Sequence, residues 1–309
     1  TTEVRMIAMN DTKRIDILIE ALPYINVFQN NIIVLKYGGN AMVNDQLKES
    51  VMQDVLLMKS VGIKPIIVHG GGPFINDMLT GLNIHTEFKK GLRVTDDAVM
   101  TVAEMVLSGQ VNKDIVKYYN KLGGNAVGIS GKDGNMIKVK KKFIQEMNDN
   151  GDIEHVDIGL VGEIETIDTA LLTLLINNDF VPVVSPVGVD MNGDTYNINA
   201  DYVAGEIAGA IQADKFILLT DTKGVYENKD DETTLLSELT LEQVENYISN
   251  GVISDGMIPK VECCTHAIKK GVKQAHIVDG RIKHSLLLEL FFDAGIGTMI
   301  MPHEGGGVL

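Results

Sequence analysis

Cysteine is scarce in this chain: there are only two, Cys263 and Cys264, and they are adjacent. Neighbours in sequence rarely pair, and no metal-ligand spacing surrounds them, so neither a disulfide framework nor a zinc site is expected. Two reduced, half-buried thiols suit a reducing cytoplasm, which is the expected location. No apolar run reaches the roughly 18–20 residues that span a bilayer, and the N-terminal stretch lacks the basic-then-apolar pattern of a secretory leader. Positive charge is also short. Against 42 Asp and Glu stand 27 Lys and Arg, a net charge of −15, which opposes nucleic acid or an anionic membrane as the main partner. An anionic ligand would need the few cations gathered at one place. Familiar catalytic strings are missing as well: there is no G-x-x-x-x-G-K-[ST], no H-E-x-x-H, no G-x-S-x-G, and no G-x-G-x-x-G after a strand. A phosphate site here has to be built differently from a P-loop or a dinucleotide fold.

What is present is a core. Hydrophobic residues make up 45% of the chain, and 309 residues suffice for two ordinary domains or one large α/β domain. In residues 11–30, Ile15, Leu18, Ile19, Leu22, Ile25 and Phe28 recur at helical spacing, and Pro23 should kink that helix. Its apolar stripe must be covered, either by its own domain or, as an arm, by another subunit. Apolar runs follow at 32–36, 65–69, 125–129, 180–184, 215–219 and 275–279. Helical patterns lie between most of them, at 44–60, 73–81, 96–122, 168–178, 200–212, 241–250, 258–270 and 284–292. This alternation predicts a mostly parallel sheet covered on both faces. Residues 135–167, basic at 138–142 and acidic at 145–157, read as an antiparallel excursion or lid. A hairpin is expected over 187–198 with Asn192-Gly193 as its turn, and a domain boundary near it.

Three strand ends carry marked punctuation: Lys36-Tyr37-Gly38-Gly39-Asn40, His69-Gly70-Gly71-Gly72-Pro73 and Thr220-Asp221-Thr222-Lys223-Gly224-Val225. In open α/β sheets ligands sit beyond the carboxyl ends of the strands. Glycine there lets backbone N–H groups approach an anion, and a following helix N-terminus adds partial positive charge. One such turn is weak evidence, because glycine also makes plain tight connections. Three glycines before Pro73, a good first helical residue, are harder to explain as turn chemistry alone. Candidate cations are Lys36, Arg93 and Lys260. Arg93, in a short loop before a helix, suits bidentate capture of a carboxylate, or is a surface arginine. Lys260 opens a helix, where a cation opposes the dipole and wants an anionic partner. Asp201 opens another, either as ordinary first-turn charge or as a carboxylate that salt-bridges both lysines.

Six stretches, KYGGNAM, VHGGGP, GLRVTD, NINAD, TDTKGV and DGMIPK, occur in this order and with rough spacing that resembles the amino-acid kinase family. The likeness runs from about residue 15 to the C-terminus and is closest to the branch acting on N-acetyl-L-glutamate. It implies an α/β three-layer sandwich with a central, mostly parallel sheet, plus the kinked N-terminal helix. It also implies three parts: residues 1–30 for oligomerisation, 31–195 for the amino-acid substrate and dimerisation, and 196–309 for ATP and an effector. The implied reaction is phosphorylation of the side-chain carboxylate of N-acetylglutamate by ATP, with Mg²⁺ carried by the nucleotide and no protein metal ligands. By the same resemblance Lys36, Lys260 and Asp201 are catalytic. Gly71, Gly72, Arg93 and Asn197 bind the amino-acid substrate, and Gly38, Gly39, Thr220, Asp221, Gly224 and Tyr226 bind the nucleotide.

A kinked N-terminal helix resembles the arginine-inhibited form of the family, in which such helices interlace three dimers into a hexamer. Tyr24, His276, Glu289 and Gly295 match its effector signature, with Glu289 the carboxylate for a guanidinium; Glu289 as a solvated helix residue is the plain alternative. Some members are bound by the signalling protein PII. Two further readings stand beside these: a kinase of a related acylated amino acid, of the aminoadipate type, and a non-catalytic regulator that binds nucleotide or arginine. A retired enzyme would have lost Lys36, Asp201 or Lys260, and all three are present.

Overall fold

The six apolar runs form six consecutive strands of one eight-stranded sheet. A computed structural model describes residues 25–147, 152–292 and 295–303, together with Ile15, Ile19, Leu22 and Pro23. Across the sheet the order is Glu238–Thr240, Thr298–Met301, Gln274–Asp279, Lys215–Thr220, Ile32–Tyr37, Lys64–His69, Val181–Ser185 and Ala126–Ser130. The last six run parallel. Thr298–Met301 turns antiparallel against Gln274–Asp279, with Glu238–Thr240 alongside it. Parallel strands covered on both faces bury nearly every residue, and Ile33, Val34, Leu35, Ile66, Ile67, Val68, Phe216, Ile217 and Leu218 are all 0% exposed.

Strand periodicity then decides what points where. Ile33, Leu35 and Tyr37 join the hydrophobic cluster on one face, and Val34 joins the other. Lys36 shares the parity of Val34, so it leaves the sheet on the side where helices Ala200–Ala210 and Ile258–Lys269 pack. His69 shares the parity of Ile67 and faces the opposite side, under helix Asn112–Lys121. Lys36 lies level with Val68 and Leu218, Tyr37 with His69, and Thr220 with Asp279. The carboxyl ends of four strands therefore meet along one edge.

Helices begin where the sequence supplies caps: Asn44 for Asp45–Ser60, Asp96 for Asp97–Glu104, Pro73 inside Gly72–Gly81, and a Thr240/Gln243 capping box for Leu241–Ser249. Strands Ile137–Met147 and Ile153–Ile167 form the antiparallel excursion and close a small barrel with Val187–Val189 and Thr195–Asn197. The expected hairpin is there, with Gly193 at φ +89° in its turn. Two findings go beyond the sequence reading. Phe88–Lys89 and Leu92–Arg93 form a small hairpin around Lys90-Gly91, both at positive φ. The long helix from Asp97 to Lys121 passes through a π-helical turn at Met105–Val111.

In the N-terminal stretch Ile15, Ile19, Leu22, Pro23 and residues 25–28 are helical. Phe28 is buried edge-on against Phe291, with ring centroids 5.7 Å apart. Ile15, Ile19 and Leu22 are 55%, 57% and 50% exposed, so this chain leaves the stripe largely uncovered. The cysteines depart from expectation: both are fully buried, because they lie on the inward face of helix Ile258–Lys269. Among the described residues no helix is long and apolar enough to cross a membrane.

Candidate active site

Lys36 leaves the end of its strand and folds back over the glycine turn. Its Nζ lies 3.0 Å from Asp201 Oδ1, and the two side chains are 14% and 23% exposed. Asp201 sits in the first turn of Ala200–Ala210, where Asn199 Oδ1 accepts from its backbone N–H at 2.8 Å. The glycines next to Lys36 now have reasons. A Cβ on Gly38 would lie 2.5 Å from Lys36 Nζ. Gly39 has φ +66°, and a Cβ there would lie 2.8 Å from Asp221 Oδ1. That same oxygen accepts from Asn40 N–H at 3.1 Å. Side chains are absent beside the lysine so that an ammonium and a carboxylate can occupy the space.

The second turn is anchored to the first by Gly70 N–H, which donates to the Tyr37 carbonyl at 2.8 Å. It opens helix Gly72–Gly81, whose first-turn amides lack intrahelical acceptors. A Cβ on Gly71 would lie 2.6 Å from Leu107 Cδ2, so this position is closed to any other residue without repacking. Arg93 completes the wall. It is 6% exposed, its Nη2 donates to Asn76 Oδ1 at 2.6 Å, and its guanidinium stacks 4.6 Å from the centroid of Phe88. Its Nη1 has no hydrogen-bond partner among the described residues. Burial pulls this guanidinium below its ordinary pKa, as it does for a cation held away from water without a counter-charge. Arg93 is therefore not a surface arginine. Lys36, Gly38, Gly39, Gly71, Gly72, Arg93, Asn197 and Asp201 line one cleft of about 250 Å³.

Lys260 stands apart from this group. Its Nζ donates to the Gly256 carbonyl at 3.0 Å, and among the described residues Asp201 is ion-paired with Lys36 alone. The expected double bridge is not formed, because the Lys260 ammonium is satisfied within its own turn. Thr220, Asp221, Gly224 and Tyr226 line up along the end of Lys215–Thr220 and the Val225–Tyr226/Leu235–Leu236 hairpin. A Cβ on Gly224 would lie 2.3 Å from Thr298 Oγ1, which accepts from Val225 N–H. The sequence reading passed over Asp279, which is buried and held bidentately by Arg281 at 2.9 and 2.8 Å on the same edge.

His276, Glu289 and Gly295 do come together. His276 Nδ1 lies 2.7 Å from Glu289 Oε1, and Ile296 and Gly297 N–H donate to Glu289 Oε2 at 2.8 and 2.9 Å. Glu289 is 8% exposed, which removes the solvated-helix alternative. Burial pushes its carboxyl up, but His276 and the two amides outweigh that and hold it below the usual range. Gly295, at φ +56°, leaves no room for a Cβ beside this carboxylate. Tyr24 lies outside the described residues. Lys215, which the sequence reading missed, joins the cluster: its Nζ is 3.4 Å from His276 Nε2, bonded to Gln274 and 5.4 Å from the Phe28 ring centroid.

Burial lowers the Lys215 pKa from 10.5 to about 8. Between those values the unfolded chain binds the proton that the folded chain has released, so stability rises with pH. Lys215 is expected to carry its full burial penalty below about pH 8 and to shed it as pH climbs toward 10.5. Urea unfolding of the parent and Lys215→Met at pH 8, 9 and 10 checks this; parallel curves would refute it.

The profile of the amino acid kinase family matches residues 31–279. The chain is 55% identical over 286 residues to acetylglutamate kinase of Carboxydothermus hydrogenoformans, covering 93% of this chain and 97% of that protein. It is 53% identical to acetylglutamate kinase of Heliobacterium modesticaldum, covering 92% and 97%. Among solved structures, carbamate kinase from Giardia lamblia bound to AMP-PNP superposes with a TM-score of 0.62 at 16% identity, over 89% of this chain and 99% of that one. N-acetylglutamate synthase from Neisseria gonorrhoeae gives a TM-score of 0.79 at 23% identity, over 93% of this chain and 63% of that one. The two acetylglutamate kinase relatives define an enzyme of the kinase class, and the solved structures share its fold. More closely, the chain belongs to the amino acid kinase family, whose members as kinases take ATP as phosphoryl donor.

Proposed function

We propose that the chain transfers the γ-phosphoryl group of ATP to the side-chain carboxylate of N-acetyl-L-glutamate, a step of arginine biosynthesis. The observation that carries this reading is the buried Arg93, its Nη1 unpaired among the described residues, in the same small cleft as Lys36 and the glycine turns. A cleft of about 250 Å³ suits a small ligand with two acidic ends. In this reading Arg93 clamps the α-carboxylate and Asn197 helps fix the substrate. The side-chain carboxylate lies toward Lys36 and the N–H groups of Gly71 and Gly72. No general base is required, since a carboxylate with an ordinary pKa of about 4 is already ionised at neutral pH. The work is to hold two anions in line and neutralise the charge between them. Lys36, aimed by Asp201, serves the transferring group. Lys260 serves the leaving side after releasing the Gly256 carbonyl, a change that closure of lobe 31–195 on lobe 196–309 supplies. Thr220, Asp221, Gly224 and Tyr226 border the nucleotide, with Gly38 and Gly39 against its phosphates.

Among the described residues no three His, Cys, Asp or Glu side chains form a group able to hold a metal. Asp201 and Asp221 are already engaged by Lys36 and the Asn40 amide. The residues thus fit Mg²⁺ brought by ATP on phosphate oxygens and water, where it offsets phosphate charge.

The same reading gives the chain arginine feedback at the His276–Glu289–Gly295 cluster. Phe28, at the foot of the N-terminal helix, borders that cluster through Lys215 and Phe291. The uncovered stripe of Ile15, Ile19 and Leu22 supports an arm that packs on another copy, in a hexamer built as a trimer of dimers. PII is kept as a further partner of that assembly. Glu289→Gln is expected to raise the arginine concentration for half-inhibition by about tenfold or more, the loss of one charge-assisted hydrogen bond. Inhibition curves that coincide would remove Glu289 from the effector site.

The decisive experiment mixes the protein with MgATP, N-acetylglutamate and hydroxylamine and measures hydroxamate, with and without millimolar arginine. Product that arginine suppresses supports both readings, and product indifferent to arginine removes the regulatory one. Product only with an acylated aminoadipate changes the substrate.

A further inference from the structure

The π-helical turn at Met105–Val111 delivers Asn112 into the protein interior, where it is 1% exposed. Such turns are rare and recur at functional sites. Asn112 Nδ2 faces three acceptors: the Val183 carbonyl at 2.8 Å, His69 Nε2 at 3.2 Å and the Ile129 carbonyl at 3.3 Å. Its Oδ1 accepts from Lys113 Nζ at 3.1 Å, and that ammonium also donates to the Gly128 carbonyl at 2.8 Å. Carbonyls on one side and an ammonium on the other permit one orientation of the amide. Space is kept for it: a Cβ on Gly128 would lie 1.9 Å from Asn112 Oδ1.

With Nδ2 donating, His69 Nε2 accepts and carries no proton. The ring proton is then on Nδ1, which donates to the Gly70 carbonyl at 2.8 Å. Burial keeps this ring neutral, its pKa lowered to about 4. In a planar trans peptide the C=O and the following N–H point in opposite directions. A Gly70 carbonyl held by His69 therefore turns the Gly71 N–H away from the core, toward the cleft that Gly70 and Gly71 both line. The same π turn sets Leu107 against Gly71.

We propose that Asn112 and His69 are positioning residues that lock the Gly70–Gly71 peptide, so that the Gly71 N–H is presented to the reacting oxygens. This rests on the reading above, in which Gly71 binds the reacting groups. Neither side chain touches substrate. Asn112 sets the tautomer of His69, and His69 sets the peptide.

The test combines ¹⁵N spectra of the histidine rings in the full chain with steady-state kinetics. In the parent, His69 is expected to be protonated at Nδ1 and bare at Nε2. Asn112→Asp puts a carboxylate at Nε2, draws a proton there and weakens the hold on the Gly70 carbonyl. Its kcat is expected to fall about 100-fold while KM for N-acetylglutamate moves less than about threefold, the signature of a misplaced transition-state donor. His69→Asn, whose amide nitrogen replaces Nδ1, should keep kcat within about tenfold of the parent, whereas His69→Gln, whose amide replaces Nε2, should not. Ile115→Ala, buried on the same helix, controls for lost stability and should lower Tm without lowering kcat. A parent ring protonated at Nε2, or an Asn112→Asp enzyme with unchanged kcat, overturns the proposal. Should the parent show the stated tautomer but no turnover of N-acetylglutamate, the substrate reading fails. The relay is then judged by the Gly71 amide resonance, which shifts in Asn112→Asp if the relay holds and stays fixed if it does not.

Discussion

Lys36→Met is expected to lower kcat by about two to three orders of magnitude, as loss of one preorganised charge-stabilising donor does, roughly 2.7–4 kcal/mol of barrier. Methionine keeps much of the apolar stem and removes only the ammonium. Asp201 is left without the partner it holds at 3.0 Å, so the variant also brings a bare carboxylate toward the phosphates. The effect belongs to kcat more than to KM, because charge accumulates on the transferring group only in the transition state. Stability should change little, about 1 kcal/mol or less, since the Asp201 side chain is 23% exposed and water can solvate it. Asp201→Asn is expected to follow the same pattern less severely, because the ammonium remains but is no longer aimed. Kinetics and urea unfolding on the same preparations check this; a Lys36→Met enzyme within tenfold of parental kcat would remove Lys36 from the chemistry.

Arg93→Met is expected to separate binding from stability in opposite directions. The parent side chain is buried, with Nη1 unpaired among the described residues. Before substrate arrives, that nitrogen costs the fold part of its desolvation energy. Methionine fills similar space beside Phe88 without the charge, so the free protein should gain about 1 kcal/mol. The substrate loses a charge-assisted hydrogen bond from Nη1, about 1.5–3 kcal/mol, and KM for N-acetylglutamate should rise roughly 10- to 100-fold. Arg93→Lys should rescue little, because an ammonium can neither stack on Phe88 nor reach both Asn76 and a carboxylate as a planar fork. Thermal melts and KM measurements on the three proteins decide it. A destabilised Arg93→Met with unchanged KM would mean that the arginine holds the Phe88 hairpin and nothing else.

Much of this frame is readable in the sequence because burial on both faces leaves unbroken apolar stretches such as Ile66–Val68 and Phe216–Leu219. Lys36, Gly38 and Gly39 were legible for a related reason: a cation followed by two absent side chains at a strand end has few uses. Long-range pairing was not legible. Nothing local marks Glu238–Thr240 or Thr298–Met301 as strands, since partners far along the chain make them so. Asn112 was not singled out within the helical pattern 96–122, because a shift from α to π spacing, which precedes it in the structure, has no local code. Lys215 was passed over at the start of the run 215–219; its burial comes from Phe28, His276 and Gln274, gathered from elsewhere. Lys260 shows the reverse error, where a correct position did not give the partner, because the nearby Gly256 carbonyl competes for the ammonium.

The strand Ile32–Tyr37 lies between Lys64–His69 and Lys215–Thr220, parallel to both. In a growing chain its first neighbour emerges early, and its second must wait while residues 70–214 are made, on the order of 10–30 s at typical synthesis rates. Throughout that interval the centre of the final sheet is an open edge of unpaired N–H and C=O groups flanked by mostly apolar side chains, the kind that recruits other strands. Lys36 is thus carried on a segment open to misassembly during birth. Nascent chains halted short of residue 215 should cling to holding chaperones, and those extended past residue 220 should let go.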